Sequence, residues 1–329
     1  MTAAPACRAA LAAALTFCGS GPAALAGIGE TAGCDAVGCD GAGGNSSLCE
    51  GGTLFDWGGR AAPGAGGPPP LDGALVTDRP SFTPAAVTVG RGVAQLESGY
   101  LFTYDDPGDG TGPVRRHDFG DARLRVGVVA DWLELRLGGS GLRESAAPAP
   151  GAARVDVGGG SDLAVGVKLA LAPQAGCLPE TALIAGTTVP TGSAAFSADR
   201  ALPGASLIYQ WALDEGLSLA GSTQLNRRAT GPSPAAVAAF GDAAGSTDDY
   251  SEFAQSAILS ASLTDRLGAF GEYYALLPLS GAAADEHYLD GGFTVLLSDD
   301  VQYDARVGVG LNDAADDVFA GTGLSIRFR

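Results

Sequence analysis

Val301-Gln302-Tyr303-Asp304-Ala305-Arg306-Val307-Gly308-Val309-Gly310-Leu311 decides the fold. Val301, Tyr303, Ala305, Val307, Val309 and Leu311 stand at one parity, and Gln302, Asp304, Arg306, Gly308 and Gly310 at the other. Successive side chains of a strand point to opposite faces, so this ribbon has one apolar face and one polar, charge-bearing face. Leu163, Val165, Val167, Leu169 and Leu171 repeat the pattern against Asp162, Ala164, Gly166, Lys168 and Ala170. Similar ladders occupy 93–104, 118–130, 132–139, 203–213, 217–226, 252–263 and 286–297, with weaker ones at 180–189, 267–278 and 318–328. The ladders make 12 strands. Many are about ten residues long, enough to cross a hydrocarbon layer when tilted and longer than strands of soluble proteins.

The connections alternate in length. Those near Asp131-Trp132, Asp214-Glu215-Gly216, Thr264-Asp265-Arg266 and Ser298-Asp299-Asp300 are tight, and the turn from Pro173 to Pro179 is slightly longer. Between them fall 105–117, 140–160, 190–202, 227–250, 279–285 and a shorter acidic stretch at 312–317. Five short turns and six outer loops are what 12 strands need when both termini lie on the inner side. Outer-membrane barrels show this asymmetry and soluble sandwiches do not. The expected fold class is all-β, a transmembrane antiparallel β-barrel.

Composition narrows the classes further. Only 17% of residues are charged, the formal net charge is −18 and 51 residues are glycine. That balance argues against a nucleic-acid partner. Lys168 is the only lysine among 19 basic residues, which removes the P-loop and nearly every lysine nucleophile. Residues 1–26 read as a signal peptide: Arg8, then the apolar run Ala9 to Phe17, then Ala24-Leu25-Ala26 as a cleavage site. Residues 27–74 read as a Gly- and Pro-rich disordered tether, and residues 75–329 as the barrel. Cys34, Cys39 and Cys49 lie in the tether, and their spacing without nearby histidine is poor for zinc. Cys177 is the remaining cysteine of the mature chain, and an exported context permits disulfides. The end of the chain carries Gly323, Ile326 and Phe328 at the spacing of a signal read by the barrel-assembly machinery, with Arg329 after the aromatic.

Thr77-Asp78-Arg79-Pro80-Ser81-Phe82-Thr83, followed by Gln95-Leu96-Glu97-Ser98-Gly99-Tyr100, resembles the opening of the MetA-pathway phenol-degradation family of outer-membrane β-barrel transporters. Leu263-Thr264-Asp265-Arg266-Leu267-Gly268-Ala269 and the stretch Gly308 to Asp317 are similar to the same family. The resemblance covers about 75–329 and implies an outer-membrane barrel with a transport role. Ser81 stands where the family pattern has an acidic residue.

If the apolar parity meets lipid, the opposite parity lines the lumen. It carries Glu97, Asp121, Arg123, Arg125, Glu134, Arg136, Asp162, Lys168, Glu252, Glu272, Asp304, Arg306 and Arg327. Glycines 99, 127, 166 and 308 leave space on that wall. The charges either brace a nearly filled interior or line a narrow aqueous path; a 12-stranded barrel falls between filled and open sizes. Residues 75–89 are placed to plug or line the inner mouth, with Asp78 and Arg79 as its charged pair and Arg79 expected to meet an acidic wall residue. Lys168 faces the lumen, so its removal is expected to be far milder than a charge placed at its neighbour Val167, and the acids crowding the outer loops imply a weak cation preference. His117 and His287, the only histidines, read as solvated rim residues. No cofactor and no metal site is expected. The expected function is passive passage of small solutes, with small hydrophobic or aromatic compounds as candidates. A structural, anchoring barrel is the alternative, and a barrel hydrolase using a histidine is the third reading.

Overall fold

The computed structural model describes residues 68–69, 71–108, 112–149, 152–230, 237, 248–281 and 283–329. The expected signal peptide, nearly all of the tether, and Cys34, Cys39 and Cys49 lie outside the described residues. Thirteen strands follow one another: β1 (Ala94–Asp105), β2 (Val114–Gly127), β3 (Leu133–Ala149), β4 (Ala152–Gly159), β5 (Leu163–Ala172), β6 (Glu180–Val189) and β7 (Pro203–Asp214) come first. Then come β8 (Leu217–Thr230), β9 (Asp248–Ser262), β10 (Leu267–Pro278), β11 (Glu286–Ser298), β12 (Val301–Gly310) and β13 (Val318–Phe328). Each pairs antiparallel with its neighbours, and β13 returns to β1 with Ala94 opposite Phe328 and Tyr104 opposite Val318. Across the lipid-spanning part closure leaves no free sheet edge, which a membrane interior requires because lipid offers no hydrogen-bond partner; of the described strands only β4, which pairs with β3 alone, keeps an edge without a strand partner.

The barrel has 12 staves rather than 13. The lower part of β3 pairs with β5 through Leu133–Gly138, and its upper part pairs with β4 through Arg143–Ala149. β4 and β5 are therefore successive pieces of one stave. The expected loop at 140–160 is corrected: most of it is a hairpin that prolongs the wall. Above the lipid an extension needs backbone pairing only, so the apolar alternation that marks a lipid-facing strand is missing from its sequence. β2 begins at Val114 and β8 runs to Thr230 for the same reason.

The protein is inside out compared with a soluble fold. On β3, Leu135 and Leu137 are 44% and 45% exposed, while Glu134 and Arg136 between and beside them are 0% and 8% exposed. Leu207, Leu259, Leu289, Val307 and Leu324 also face outward, and Gln95, Glu97, Arg125, Lys168, Glu272 and Asp304 face inward. The outward apolar face is the one that lipid solvates. Aromatic residues gather toward its two ends. Near the outer end the rings of Tyr100, Phe102, His117 and Phe119 cluster, with His117 stacked on Phe119 and the tilted Tyr100 and Phe119 rings 5.1 Å apart between centroids. Toward the short-turn end Tyr209 and Trp211 meet edge to face at 5.8 Å.

The face assignment has a direct consequence. Val167→Arg sets a guanidinium in the lipid face of β5 and should cost about 2–4 kcal/mol near midplane. Urea titration of the variant refolded into vesicles measures this; unchanged stability would mean that the parity is reversed.

Candidate functional site

Residues 75–93 leave the wall and run inside the barrel. The segment is fastened at its start, where the Leu75 N–H donates to the Asp299 carbonyl (2.8 Å) and Arg327 holds the Gly73 carbonyl (2.6 Å). It returns to the same end, where the Arg91 N–H meets Asp131 (2.9 Å) and the Gly92 N–H meets the Gly127 carbonyl (2.7 Å). Gly127 is required there, because a Cβ would run into the backbone of Gly90.

The segment includes Pro80 and Pro84 and belongs to no strand, so its backbone groups need partners from elsewhere. Charged wall residues supply them. Glu97 accepts from the Asp78 N–H through both oxygens (3.1 Å each). Glu272 accepts from the Phe82 and Thr83 N–H groups (2.6 and 2.8 Å), and Glu134 from the Val89 N–H (3.0 Å). Arg125 donates to the carbonyls of Val76 and Val87 (3.1 and 3.0 Å), and Lys168 to those of Ala85 and Val87 (2.8 and 3.2 Å). The inward charges therefore do the work that a neighbouring strand does elsewhere.

The same side chains form one buried electrostatic network around Asp78. Lys168 Nζ lies 2.8 Å, Arg136 Nη2 2.6 Å and Arg125 Nη1 3.7 Å from its carboxylate. Arg125 also binds Glu97 at 2.9 Å and grips Glu134 through two nitrogens at 2.9 Å each, and Arg136 joins Glu134 at 2.7 Å. Three carboxylates (Asp78, Glu97, Glu134) thus face three cations (Arg125, Arg136, Lys168). Burial pushes the Asp78 carboxyl upward, but Arg125, Lys168 and Arg136 outweigh it and hold the group well below the usual carboxylate range.

A second contact point holds Arg79. Its guanidinium lies 3.5 Å from Asp304 and 3.5 Å from Asp121, and donates to the Thr322 carbonyl at 3.2 Å. Gly99 on β1 and Gly323 on β13 stand directly opposite each other, and a Cβ on either would strike the Arg79 side chain. The pair forms a notch for it. At a third point Phe82 stacks on Tyr274 (4.4 Å between centroids), which stacks on Tyr288 (4.8 Å), with Phe319 edge-on at 6.0 Å.

The inward residues named from the sequence are distributed unevenly. Glu97, Arg125, Glu134, Arg136 and Lys168 converge on Asp78, Glu272 holds Phe82 and Thr83, and Asp304 holds Arg79. Glu252 pairs with Arg228 at 2.9 Å toward the long-loop end, and Arg327 with Asp300 at 2.8 Å at the short-turn end. Asp162 departs from the expectation. It sits between β4 and β5, where its carboxylate accepts from the Gly192 and Ala198 N–H groups (2.9 and 3.0 Å) and fastens the outer loop 190–202. Lys168 faces the lumen as its parity requires and is fully buried in the network there. Gln95, Gln210, Gln302, Ser222 and Ser256 are inward residues that charge patterning passes over. Asp290 was hidden among the acids beside His287, yet it is 5% exposed and faces Arg306 at 3.6 Å. Its parity on β11, opposite Leu289, was the available signal.

The histidines lie toward the outer ends of their strands but are half-buried rather than solvated: His117 is in β2 with its ring bonded to Tyr100 (2.8 Å), and His287 is in β11 bonded to Tyr273 (2.7 Å). Cys177 is disulfide-bonded.

The inner segment divides the lumen. On the short-turn side a cavity of about 420 Å³ is bounded by Leu75, Thr77, Gln210, Asp214, Ser260 and Gln302. On the long-loop side a larger one of about 620 Å³ is bounded by Asp121, Arg123, Arg143, Asn226, Arg227 and Tyr274. Arg79, Pro80, Ser81 and Pro84 border both cavities, so the partition is one chain thick.

A closed barrel with an apolar exterior and a charged, partitioned interior defines a transmembrane β-barrel. The chain belongs to the family described as "Putative MetA-pathway of phenol degradation", whose model matches residues 77–328. No curated protein matches the chain. Solved structures similar to it are barrels at low identity. The NanC porin matches 71% of this chain and 98% of its own at 7% identity and a TM-score of 0.43. The translocator domain of the autotransporter NalP from Neisseria meningitidis matches 72% and 87% at 12% identity and 0.41. The CymD monoaromatic hydrocarbon channel matches 73% and 89% at 9% identity and 0.38. What those proteins carry says nothing about this one at such distances.

The network yields a pH-dependent expectation. A carboxyl depressed in the folded state contributes stability above its unfolded value, near 3.8, and loses it as the pH falls through the folded value. Asp78→Asn should therefore cost about 3–5 kcal/mol at pH 7, as for a broken buried pair, and the difference from the wild type should shrink only at strongly acid pH. Paired urea titrations at pH 7 and below pH 3 check this; an equal cost at both would refute the assignment.

Proposed function

We propose that the chain is an outer-membrane channel for the passive passage of small solutes, closed in this state by residues 79–84. The observation that carries the reading is the pair of cavities bordered by the same four residues, Arg79, Pro80, Ser81 and Pro84. The barrel wall is continuous, and the barrier between the two sides is a single length of non-strand chain. That chain is held by side chains and not by a sheet ladder, so it can move without opening the wall. In this reading Asp78 and Arg79 are the latch. The wall residues Glu97, Arg125, Glu134, Arg136 and Lys168 form its seat.

The envelope assignment belongs to the same proposal. Residues 1–26 direct export, lipid covers the outward face, and the barrel-assembly machinery reads Gly323, Ile326 and Phe328. Phe328 is 53% exposed on the last strand, open to such a partner. Small hydrophobic or aromatic compounds are the cargo that the family's description brings to mind. Catalysis draws no support from the histidines, whose rings bond to tyrosines.

One observation favours the anchoring alternative. The three-against-three charge network spans β1, β2, β3 and β5 and braces the lower lumen. Planar-bilayer recording separates the two readings. The wild type should show small, infrequent openings, and Asp78→Asn/Arg79→Ala a larger and steadier conductance. No current from either protein, with both inserted and folded by gel mobility, would make the barrel an anchor.

A further inference from the structure

The long-loop cavity has a composition that the channel reading does not account for. Seven arginines border it, among them Arg123, Arg143, Arg227, Arg228 and Arg306, against only two carboxylates, Asp78 and Asp121. The carboxylates that pair with Arg143, Arg227, Arg228 and Arg306 are Asp118, Asp249, Glu252 and Asp290, and none of them borders the cavity. The guanidinium groups therefore stand between the water of the chamber and their own counter-charges. A guanidinium has five N–H donors, so one edge can hold a partner while others remain for a ligand. Arg123 goes further: it has no ion pair or side-chain hydrogen bond among the described residues, and it borders the chamber. One Asp78 oxygen is already held by Lys168 and the other by Arg136, so that acid offers little to a cation in the chamber. Tyr274 and Phe82, stacked at 4.4 Å, add a flat apolar border to the same space.

We propose that this chamber binds a small organic anion, a monocarboxylate on a planar apolar body, with Arg123 as the primary contact and Tyr274 and Phe82 as the apolar wall. The proposal refines the channel reading, on which it rests for the route of the solute. It replaces the cation preference expected from the outer acids. Several of those acids are engaged at the rim: Asp316 pairs with Arg116, Asp249 with Arg200 and Arg227, and Asp317 accepts from the Asp106 N–H. A solute must pass the chamber beneath them, where low-dielectric walls focus the field of the arginines. The neutral form of the same body keeps the apolar contact and loses the charge-assisted hydrogen bonds, so charge decides affinity.

The test measures binding rather than passage, so that it stays separate from the conductance experiment. Benzoate and benzyl alcohol are titrated calorimetrically into refolded full-length mature protein at low ionic strength, with sodium sulfate as a third probe. Benzoate should bind saturably, at least about tenfold more tightly than benzyl alcohol, in line with the worth of a charge-assisted hydrogen bond. Arg123→Gln should weaken benzoate by about the same factor and leave benzyl alcohol unchanged, and Arg123→Lys should restore part of the affinity. Gel mobility and the strand circular-dichroism signal confirm that each variant is folded. Absence of benzoate heat, equal affinity for benzoate and benzyl alcohol, sulfate binding as tight as benzoate, or an unchanged Arg123→Gln would each overturn the proposal. Binding with no conductance would leave the site standing and remove the channel.

Discussion

The balanced set of buried charges around Asp78 is the constraint on which the interior depends. Lipid takes up the apolar face of every strand, so the wall cannot also send its apolar side chains inward. A lumen of 12 staves is wider than side chains alone fill. A length of backbone enters and occupies the space, and it brings peptide groups that must be satisfied away from bulk water. Glu97, Glu134, Glu272, Arg125 and Lys168 satisfy them. Burying these ions is itself unfavourable unless the charges balance and each finds close partners. Three acids against three bases around one carboxylate meet that condition. The choice of charge over apolar packing gives up some stability and fixes one position of the segment, which a greasy interior would not.

Two regimes follow along the barrel axis. Near the short turns the segment is tied at both ends, and the network leaves a cavity of about 420 Å³. Toward the long loops the wall continues past the segment with arginines and glycines. Gly138, Gly139, Gly186 and Gly204 border the larger cavity there, and their missing side chains contribute to its room. Filled and open halves coexist because the segment rises only part of the way. Arg79 is seated in the notch that Gly99 and Gly323 form in the adjoining strands.

The architecture was legible because lipid imposes a period of two on every stave, as in Val301 to Leu311. The hairpin of β3 and β4 was not, since strands above the lipid carry no such alternation. Within the lumen, charge identified which wall residues mattered, and the segment carrying Asp78 and Arg79 stood out by its position ahead of the first strand. The pairings stayed hidden. Lys168 lies 90 residues from Asp78, Glu272 190 from Phe82, and Asp304 225 from Arg79. Such partners are set by the stagger and closure of the barrel, which a single sequence does not print. Asp162 was misplaced for a related reason: parity assigns a face, but β4 and β5 break between Gly159 and Leu163, so the residue belongs to a corner. The basic chamber escaped because its arginines, Arg143, Arg227 and Arg228 among them, lie on strand extensions that looked like loops.

Amide hydrogen exchange on the protein in lipid nanodiscs tests the central claim most directly. The N–H groups of Asp78, Phe82, Thr83 and Val89 donate to carboxylates of the wall. If the segment is locked into the lumen, these amides should exchange as slowly as those of β1 and β10 at neutral pH. Exchange at the rate of an unstructured loop would contradict the account.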